Sequence, residues 1–240
     1  MVCVIITYEY HTPFTMKTKS PEIREELIRI ATDKFLALGY ERTSMAQISA
    51  AFGGSKTTLY THFPTKEEMF LAVIENLARG KVDSAFSALT LHGAIKETLI
   101  NFGEKYLSIT CSKEILKVFR MGISESENSR AGKLLYEFGP KLCRKKIADY
   151  FDKKKSEGVI KKCESHVAAI HYLRLIESDL SELFLLGMRK EPSKREIRKA
   201  VLDGVNVFLA AYLMDNYCGS SRISVGAIGR FRVAGAGNWQ

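Results

Sequence analysis

Apolar residues recur at steps of three and four along most of this 240-residue chain, which is the spacing of one face of an α-helix. No sustained alternation of apolar and polar positions, the pattern of a half-buried strand, occurs after residue 16. The pattern therefore predicts an all-α protein. The first apolar stripe consists of Ile23, Leu27, Ile30, Ala31, Phe35 and Leu38.

Helix start and stop signals divide the region after residue 19 into short helices. Ser20 followed by Pro21 predicts the start of the first helix. Gly39 predicts its end, because glycine tolerates left-handed backbone. Ser44 and Gln47 have the spacing of a capping box, which predicts the start of a second, short helix.

A glycine turn separates this short helix from another. Gly53 and Gly54 allow two helices to approach closely, Ser55 caps the predicted helix Lys56–His62, and Pro64 limits it. A longer amphipathic helix follows. Two short capped helices joined by a glycine turn are typical of a helix-turn-helix, although such hairpins also occur in plain bundles.

The rest of the chain predicts longer helices and two flanking segments. The longer helices are predicted at Ala94–Thr110, Lys113–Ser124, Ser129–Ser156, Ser165–Leu186 and Ser193–Asp215. The Gly- and Ser-rich segment 218–240 predicts a disordered tail. We expect residues 1–19 to be an extension, also disordered, because Met16 opens a segment that reads more like a natural beginning.

The net charge of +9 suggests a nucleic-acid partner, but its distribution weakens that argument. The segment from Met16 to Gly80 has nine basic and eight acidic residues, so it is nearly neutral. Much of the positive excess lies at 141–162, where a charge run on a long helix is usually a solvated face. The local pattern must therefore carry any DNA-binding hypothesis.

Hydropathy and cysteine usage predict a cytoplasmic protein. No uncharged run of about 18 apolar residues exists, and the first fifteen residues have neither a basic segment nor a small-residue cleavage site. We therefore expect no membrane span and no signal peptide. The five cysteines are Cys3, Cys111, Cys143, Cys163 and Cys218. Their odd number and wide spacing favour small buried thiols in a reducing compartment over a disulfide framework or a zinc site. A redox-sensing Cys111 or Cys163 is the alternative.

The second short helix has the composition of a helix that enters the major groove of DNA. Leu59 supplies an inward apolar anchor. The other faces carry Lys56, Thr57, Thr58, Tyr60, Thr61 and His62. Hydroxyl groups can contact phosphates, a threonine methyl can contact thymine, and lysine can reach the acceptors on guanine.

The tract TSMAQISAAFGGSKTTLYTHFPTKEEMF resembles the DNA-binding signature of the TetR (tetracycline repressor-like) family, in which a TLY.HF..KE core recurs. The tract FRMGISESENSRAGKLLYEFGPKLCRKKIADYF resembles the ligand-binding half of the AefR-like group in that family. The first likeness covers Glu22 to about Leu77. The resemblance implies an all-helical homodimer, with a three-helix helix-turn-helix domain at 20–80 and a larger helical ligand-binding and dimerisation domain at 81–217.

Carried over position by position, the resemblance implies DNA-binding roles. Thr43 and Ser44 match phosphate contacts, and Lys66 matches a cation that meets the DNA backbone. The residues of the recognition helix are Lys56, Thr57, Thr58, Tyr60, Thr61 and His62. A solvated lysine at 56, a partly packed ring at 60 and a helix-end cap at 62 are the alternatives. The Gly53-Gly54 turn departs from the commoner glycine followed by a branched residue, which puts the rigidity of the turn in doubt.

For the larger domain we expect a hydrophobic effector pocket and a dimer interface. The candidate pocket residues are Phe102, Tyr106, Phe119, Tyr136, Phe138 and Tyr172, with ordinary core packing as the alternative. The candidate interface residues are Leu173, Ile176, Leu180, Phe184, Val205, Phe208 and Tyr212, with an intramolecular bundle as the alternative. The polar residues between His166 and Asp179 favour a surface or subunit contact over a metal site, because the two histidines are five residues apart.

The resemblance, together with the local pattern, implies a repressor that binds double-stranded DNA at a palindromic operator and releases it when a small, hydrophobic effector binds. We expect no cofactor, no metal and no membrane partner. The rival hypothesis is a helical enzyme or carrier whose N-terminal hairpin is merely structural. The chain has no nucleophile elbow, phosphate-binding glycine loop or zinc motif that would favour the rival.

Overall fold

The structure of this chain is a computed structural model that describes residues 20–78, 81–90, 92–127, 129–178 and 180–215. Those residues form twelve helices and one isolated β-bridge. The helices are α1 (Pro21–Leu38), α2 (Met45–Phe52), α3 (Lys56–His62), α4 (Lys66–Ala78), α5 (Lys81–Phe86), α6 (Ile95–Thr110), α7 (Lys113–Ser124), α8 (Ala131–Phe138), α9 (Pro140–Ser156), α10 (Ser165–Glu177), α11 (Leu180–Leu185) and α12 (Lys194–Tyr212). The all-α prediction is confirmed. The predicted extension at 1–19 and tail at 218–240 lie outside the described residues.

The short helices of the N-terminal part begin and end where their capping residues predict. The Ser44 hydroxyl accepts the Gln47 N–H at 3.2 Å, and the Gln47 side chain accepts the Ser44 N–H at 2.7 Å, which completes the capping box. The Ser55 hydroxyl accepts an N–H in the first turn of α3. Gly39 ends α1 at a φ of 88°.

The cap of α1 differs from the prediction. Helix α1 does begin at Pro21, but the Ser20 side chain accepts no backbone N–H. Its hydroxyl donates instead to the carboxylate of Glu22. Proline has no N–H to be capped, and its fixed φ already suits the first helical turn.

The buried side chains form two apolar cores. One core is formed by helices α1, α2, α3 and α4. It also includes Val118 and Met121 of α7 and Leu134 and Leu135 of α8. The other core joins α5 to α7 and α9 to α12 around the aromatic rings of α6, α9, α10 and α12. Helix α7 contributes to both cores, so it connects the N-terminal helices to the rest of the chain.

Two of the predicted long helices are interrupted. The predicted helix Ser129–Ser156 divides at Gly139, because Pro140 has no N–H to donate to the preceding turn and its ring crowds that turn. The predicted helix Ser165–Leu186 divides at Ser178, where φ is 45°, a left-handed value that is unusual for a residue with a side chain. The sequence pattern did not predict α5.

Most of the residues predicted for the dimer interface face the interior of the protomer. Six of the seven residues are buried in the protomer's own second core, and Tyr212 packs against that core. These six are Leu173, Ile176, Leu180, Phe184, Val205 and Phe208. The physical reason is that α10 and α12 pack directly on one another: a Cβ on Gly204 would lie 2.6 Å from the carbonyl of Leu175. The inward stripes are therefore already used within the protomer.

Within the described residues, no helix combines the length and the apolar character that crossing a membrane requires.

Candidate nucleic-acid interface

Helix α3 is fixed to the rest of the N-terminal helices by one apolar side chain. Leu59 is fully buried in the first core, together with Met45 and Ile48 of α2. The Phe63 N–H donates to the Leu59 carbonyl at 2.8 Å and closes the last turn. The packing of Leu59 on α2 holds α3 in place and leaves one face of α3 exposed.

The outward face of α3 carries hydroxyl groups, a cation and an aromatic ring. Lys56, Thr57, Tyr60 and Thr61 are exposed, with 47% of the Tyr60 residue accessible to solvent. Their spacing places them along one side of the helix, since residues four apart are neighbours. We call these four residues the recognition row. The major groove of DNA is wide enough to admit an α-helix, and the side chains of this row have the chemistry that reads it.

The other two predicted residues of α3 are less accessible. Thr58 is partly buried, and its hydroxyl lies 2.9 Å from that of Ser55 at the helix start. His62 is also partly buried, and its ring centroid lies 6.5 Å from that of Phe63. Both residues therefore belong to the ends of the helix rather than to the recognition row.

The structure corrects the role predicted for Thr43. This residue is only 1% exposed, and its hydroxyl donates to the Gly39 carbonyl at 2.7 Å. Its side chain therefore holds the loop between α1 and α2 and does not reach a phosphate. The neighbouring Ser44 is exposed, so its hydroxyl, which accepts the capping N–H, can still donate outward.

Lys66 lies at the start of α4, as predicted, but its cation is engaged within the protein. Its Nζ donates to the Glu41 carbonyl at 3.0 Å and lies 4.4 Å from the centre of the Tyr40 ring. Burial raises the pKa of the Tyr40 hydroxyl to about 12. Lys66 therefore joins the start of α4 to the loop that precedes α2.

The same loop is also held by a residue from the larger domain. The Glu125 carboxylate follows α7 and accepts the N–H of Glu41 at 2.9 Å. Beside it, Arg130 pairs with Glu67 of α4 at 3.3 Å. Sequence reasoning missed these contacts, because no local pattern relates residues so far apart in the chain.

The aromatic residues predicted to line an effector pocket do not form one cavity. Phe102, Tyr106 and Tyr172 are buried together in the second core. The centroid of the Phe102 ring lies 5.8 Å from that of Tyr106 and 6.1 Å from that of Tyr172. The remaining three lie apart. Phe119 packs at the edge of the second core, Phe138 packs against the first core, and Tyr136 is exposed. Helical spacing identifies inward positions but not which helices meet there.

A cleft of about 570 Å³ lies instead between α7, α10 and α11. It is lined by Arg120, Ile123, Ser124, Arg174, Glu177, Ser178, Ser181, Glu182, Leu185 and Leu186. Glu177 is buried there: its carboxylate accepts the Tyr106 hydroxyl at 2.9 Å and pairs with Arg174 at 2.5 Å. The cleft has the volume of a typical small-molecule site. Sequence reasoning missed this cleft because its walls come from three separate helices.

Comparison with protein families identifies both parts of the chain. Residues 27–73 match the model described as bacterial regulatory proteins, tetR family. Residues 97–214 match the model described as AefR-like transcriptional repressor, C-terminal domain. The first match contains α2, α3 and the recognition row, and the second contains the cleft between α7, α10 and α11.

Individual relatives agree with these matches. The transcriptional regulator TcmR of Streptomyces glaucescens is 38% identical over 76 residues, which is 32% of this chain and 31% of TcmR. The chain thus matches about a third of the length of that relative. A solved TetR-family regulator from Mesorhizobium loti is 27% identical, with a TM-score of 0.70 over 82% of this chain and 100% of that one. The flavonoid-responsive regulator FrrA is 26% identical, with a TM-score of 0.67 over 82% of this chain and 100% of its own.

Proposed function

Because this chain belongs to the TetR family of bacterial transcriptional regulators, we propose that it is a homodimeric repressor. In this proposal it binds a palindromic operator in the cytoplasm and releases that operator when a small effector binds its larger domain. The observation that carries the proposal is the recognition row on α3, held outward by the buried Leu59. The families matched are families of regulators and not of enzymes.

The recognition row supplies the contacts to DNA in this proposal. Lys56 and Thr57 lie in the first turn of α3, the part of a recognition helix that reaches base edges. Tyr60 and Thr61 lie one turn later, where hydroxyl groups can donate to phosphate oxygens. Ser44, at the exposed start of α2, adds a further phosphate contact.

The subunit contact we propose uses the outward faces of α10 and α12 in place of their inward stripes. Val207 is 55% exposed, and Val167 is exposed on α10. Ala210 and Ala211 continue the apolar surface along α12, and Ile170 continues it along α10. A contact between two copies of this face has two-fold symmetry, so it would place two α3 helices on two half-sites of a palindrome.

Helix α7 is the element we propose to connect effector binding to DNA release. Ile123 and Ser124 line the cleft, and the next residue, Glu125, binds the loop before α2. A ligand that moves this end of α7 would therefore shift a direct contact of the DNA-binding helices. FrrA, a relative of known structure, is described as flavonoid-responsive, which supports a small organic effector.

The proposed function is tested by selecting bound sequences from random double-stranded DNA with the full-length protein. We expect a two-fold symmetric site, and we expect the double variant Lys56→Ala/Tyr60→Ala to lose most of the affinity for it. The matched control is Lys145→Ala, which removes an exposed lysine from α9. Equal binding by the double variant and the control, or selection of no sequence at all, would contradict the proposal.

A further inference from the structure

We propose that the larger domain binds a small amphipathic anion, such as a medium-chain carboxylate, in two adjoining clefts that share the Arg120 side chain. The apolar body of the ligand lies between α7, α10 and α11, and its anionic group lies beside the first turns of α7. This inference rests on the proposed function, in which the larger domain receives the effector, and it specifies the chemistry of that effector.

The first cleft suits the apolar body. Its rim carries two large apolar side chains in water, with Ile123 59% exposed and Leu186 70% exposed. Exposed apolar side chains that line a concave surface mark binding sites more often than scattered ones do. The charged groups of this cleft balance one another, since Arg120 and Arg174 face Glu177 and Glu182.

The second cleft is strongly positive. It has a volume of about 470 Å³, and its charged residues are five cations and one carboxylate. Its lining consists of Lys113, Leu116, Lys117, Arg120, Gly187, Arg189, Lys190 and Glu191. Arg189 is partly neutralised by an ion pair with Glu196 at 2.5 Å. With Arg120 counted in the first cleft, Lys113, Lys117 and Lys190 still outnumber Glu191, and an anion would neutralise that excess.

Arg120 lines both clefts, and two backbone carbonyls hold its guanidinium group. Its Nε donates to the Leu185 carbonyl at 2.9 Å, and a second guanidinium nitrogen donates to the Phe184 carbonyl. Leu186 of the first cleft and Gly187 of the second directly follow these carbonyls in sequence. The apolar and cationic surfaces are therefore continuous, and one ligand of moderate length can span them.

Backbone strain in the wall of the first cleft supports a ligand site. Ser178 follows the buried Glu177 and has a φ of 45°. Such conformations in residues other than glycine are energetically unfavourable and cluster at ligand-binding and switch regions. Here the strained residue separates α10 from α11, the two helices that contain one wall of the cleft.

The charge of the second cleft decides between two possible occupants. A second copy of the chain would bring the same excess of cations to this surface, and like charges placed opposite one another repel. An amphipathic anion complements both the apolar rim and the positive charge. We therefore assign the paired clefts to a small ligand and not to the subunit interface.

The test measures binding of three ten-carbon probes to the full-length protein by isothermal titration calorimetry, below the concentration at which they form micelles. The probes are decanoate, decanol and decyltrimethylammonium, which share a chain and differ in charge. We expect decanoate to bind most tightly and the cation not to bind measurably. The affinity for decanoate should fall as salt rises, whereas the affinity for decanol should not.

Variants separate the two ends of the ligand. Lys117→Gln/Lys190→Gln should weaken decanoate binding about tenfold, as expected for losing two exposed ion pairs, and should leave decanol unaffected. Lys145→Gln on α9 is the matched control. Leu186→Ser should weaken both decanoate and decanol, and Tyr136→Ser, which removes an exposed ring outside the two clefts, should weaken neither.

Three results would overturn the inference: no binding of decanoate, equal binding of decanoate and decanol with no effect of the lysine variants, or dissociation of the dimer by Leu186→Ser. Operator binding by the same samples distinguishes this failure from failure of the proposed function. A protein that binds its operator but not decanoate contradicts only the ligand chemistry. A protein that binds decanoate but selects no DNA contradicts only the regulatory role.

Discussion

The carboxylate of Glu125 accepts the backbone N–H of Glu41 at 2.9 Å, although the two residues are 84 positions apart in the chain. This bond joins the end of α7 to the loop before α2, so it connects the larger domain to the DNA-binding helices. The Glu125 carboxylate also packs closely against Gly39, because a Cβ at Gly39 would lie 2.3 Å from its other oxygen.

Removing this carboxylate should weaken the connection between the two parts of the chain. We expect Glu125→Ala to lower the free energy of unfolding by about 0.5–1.5 kcal/mol, the range for an ordinary hydrogen bond, because this bond is exposed and water screens its charge. Glu125→Gln, which keeps an acceptor oxygen, should lose less. Urea denaturation measures both variants. If the alanine and glutamine variants are as stable as the wild type, the bond does not contribute to the free energy of unfolding.

The N-terminal cap of α2 should contribute measurably to the free energy of unfolding. Ser44→Ala removes the acceptor of the capping N–H and should cost about 1 kcal/mol. Ser20→Ala is the control, because Ser20 precedes α1 but accepts no backbone N–H. Thermal unfolding of the two variants checks the difference. Equal losses would mean that the effect arises from the serine hydroxyl in general and not from the capping box.

The features that could be predicted from sequence are local ones. The caps of α2 and α3 depend on residues three positions apart, and the inward position of Leu59 depends on the helical repeat, so both follow from short-range patterns. The repeat also identified Phe208 as an inward residue, but it does not say which helix covers an inward face. That face is buried within the protomer, so Phe208 is not available on the outer surface of α12.

Other features depend on tertiary contacts that no short pattern encodes. The hydroxyl of Thr43 is used internally, because the carbonyl of Gly39 lies within 2.7 Å of it. The cleft exists because α10 ends at Glu177 and the chain resumes as α11, whereas the apolar repeat continues through the break at Ser178. Family resemblance locates residues along a recognition helix but does not report whether each one is exposed.

If the proposed subunit contact is right, substitutions at two neighbouring residues of α12 should have opposite effects on association and on stability. Val207→Glu places a charge on the proposed contact and should convert a dimer to a monomer with little loss of helix content. Phe208→Ala, one residue later, should leave the association intact but lower the free energy of unfolding by about 3–5 kcal/mol, because that ring is fully buried. Analytical ultracentrifugation and urea denaturation separate these effects. A dimeric Val207→Glu variant would contradict the proposed contact.

The buried thiols should react slowly and in a fixed order. Burial raises the pKa of the Cys111 and Cys143 thiols, and it raises that of Cys163 although the Lys155 cation opposes this. Since only the thiolate reacts, alkylation of these three thiols at neutral pH should proceed fastest at the partly exposed Cys163 and slowest at the fully buried Cys143. Mass spectrometry of iodoacetamide-treated protein follows each site.

The same thiols should make the free energy of unfolding fall at alkaline pH. Their pKa values are higher in the folded protein than in the unfolded chain, so the neutral thiol favours folding below its ordinary pKa. That contribution is lost as pH rises above the ordinary pKa toward the folded value. Cys143→Ala should therefore reduce the fall in stability between neutral pH and about pH 10, near and above the ordinary cysteine pKa. An unchanged pH profile would mean that this thiol does not titrate on unfolding.

Salt dependence should distinguish the residues that contact DNA from those that only shape the N-terminal helices. If Lys56 neutralises a phosphate, Lys56→Ala should reduce the slope of log affinity against log salt by about 1. Tyr60→Phe should lower the affinity for the selected operator through its lost hydroxyl and leave the slope unchanged. Thr43→Val should destabilise the fold by about 1 kcal/mol, because it loses the hydroxyl that donates to Gly39, and should also leave the slope unchanged. Fluorescence anisotropy at several salt concentrations measures all three, and a reduced slope for Thr43→Val would return that residue to the DNA interface.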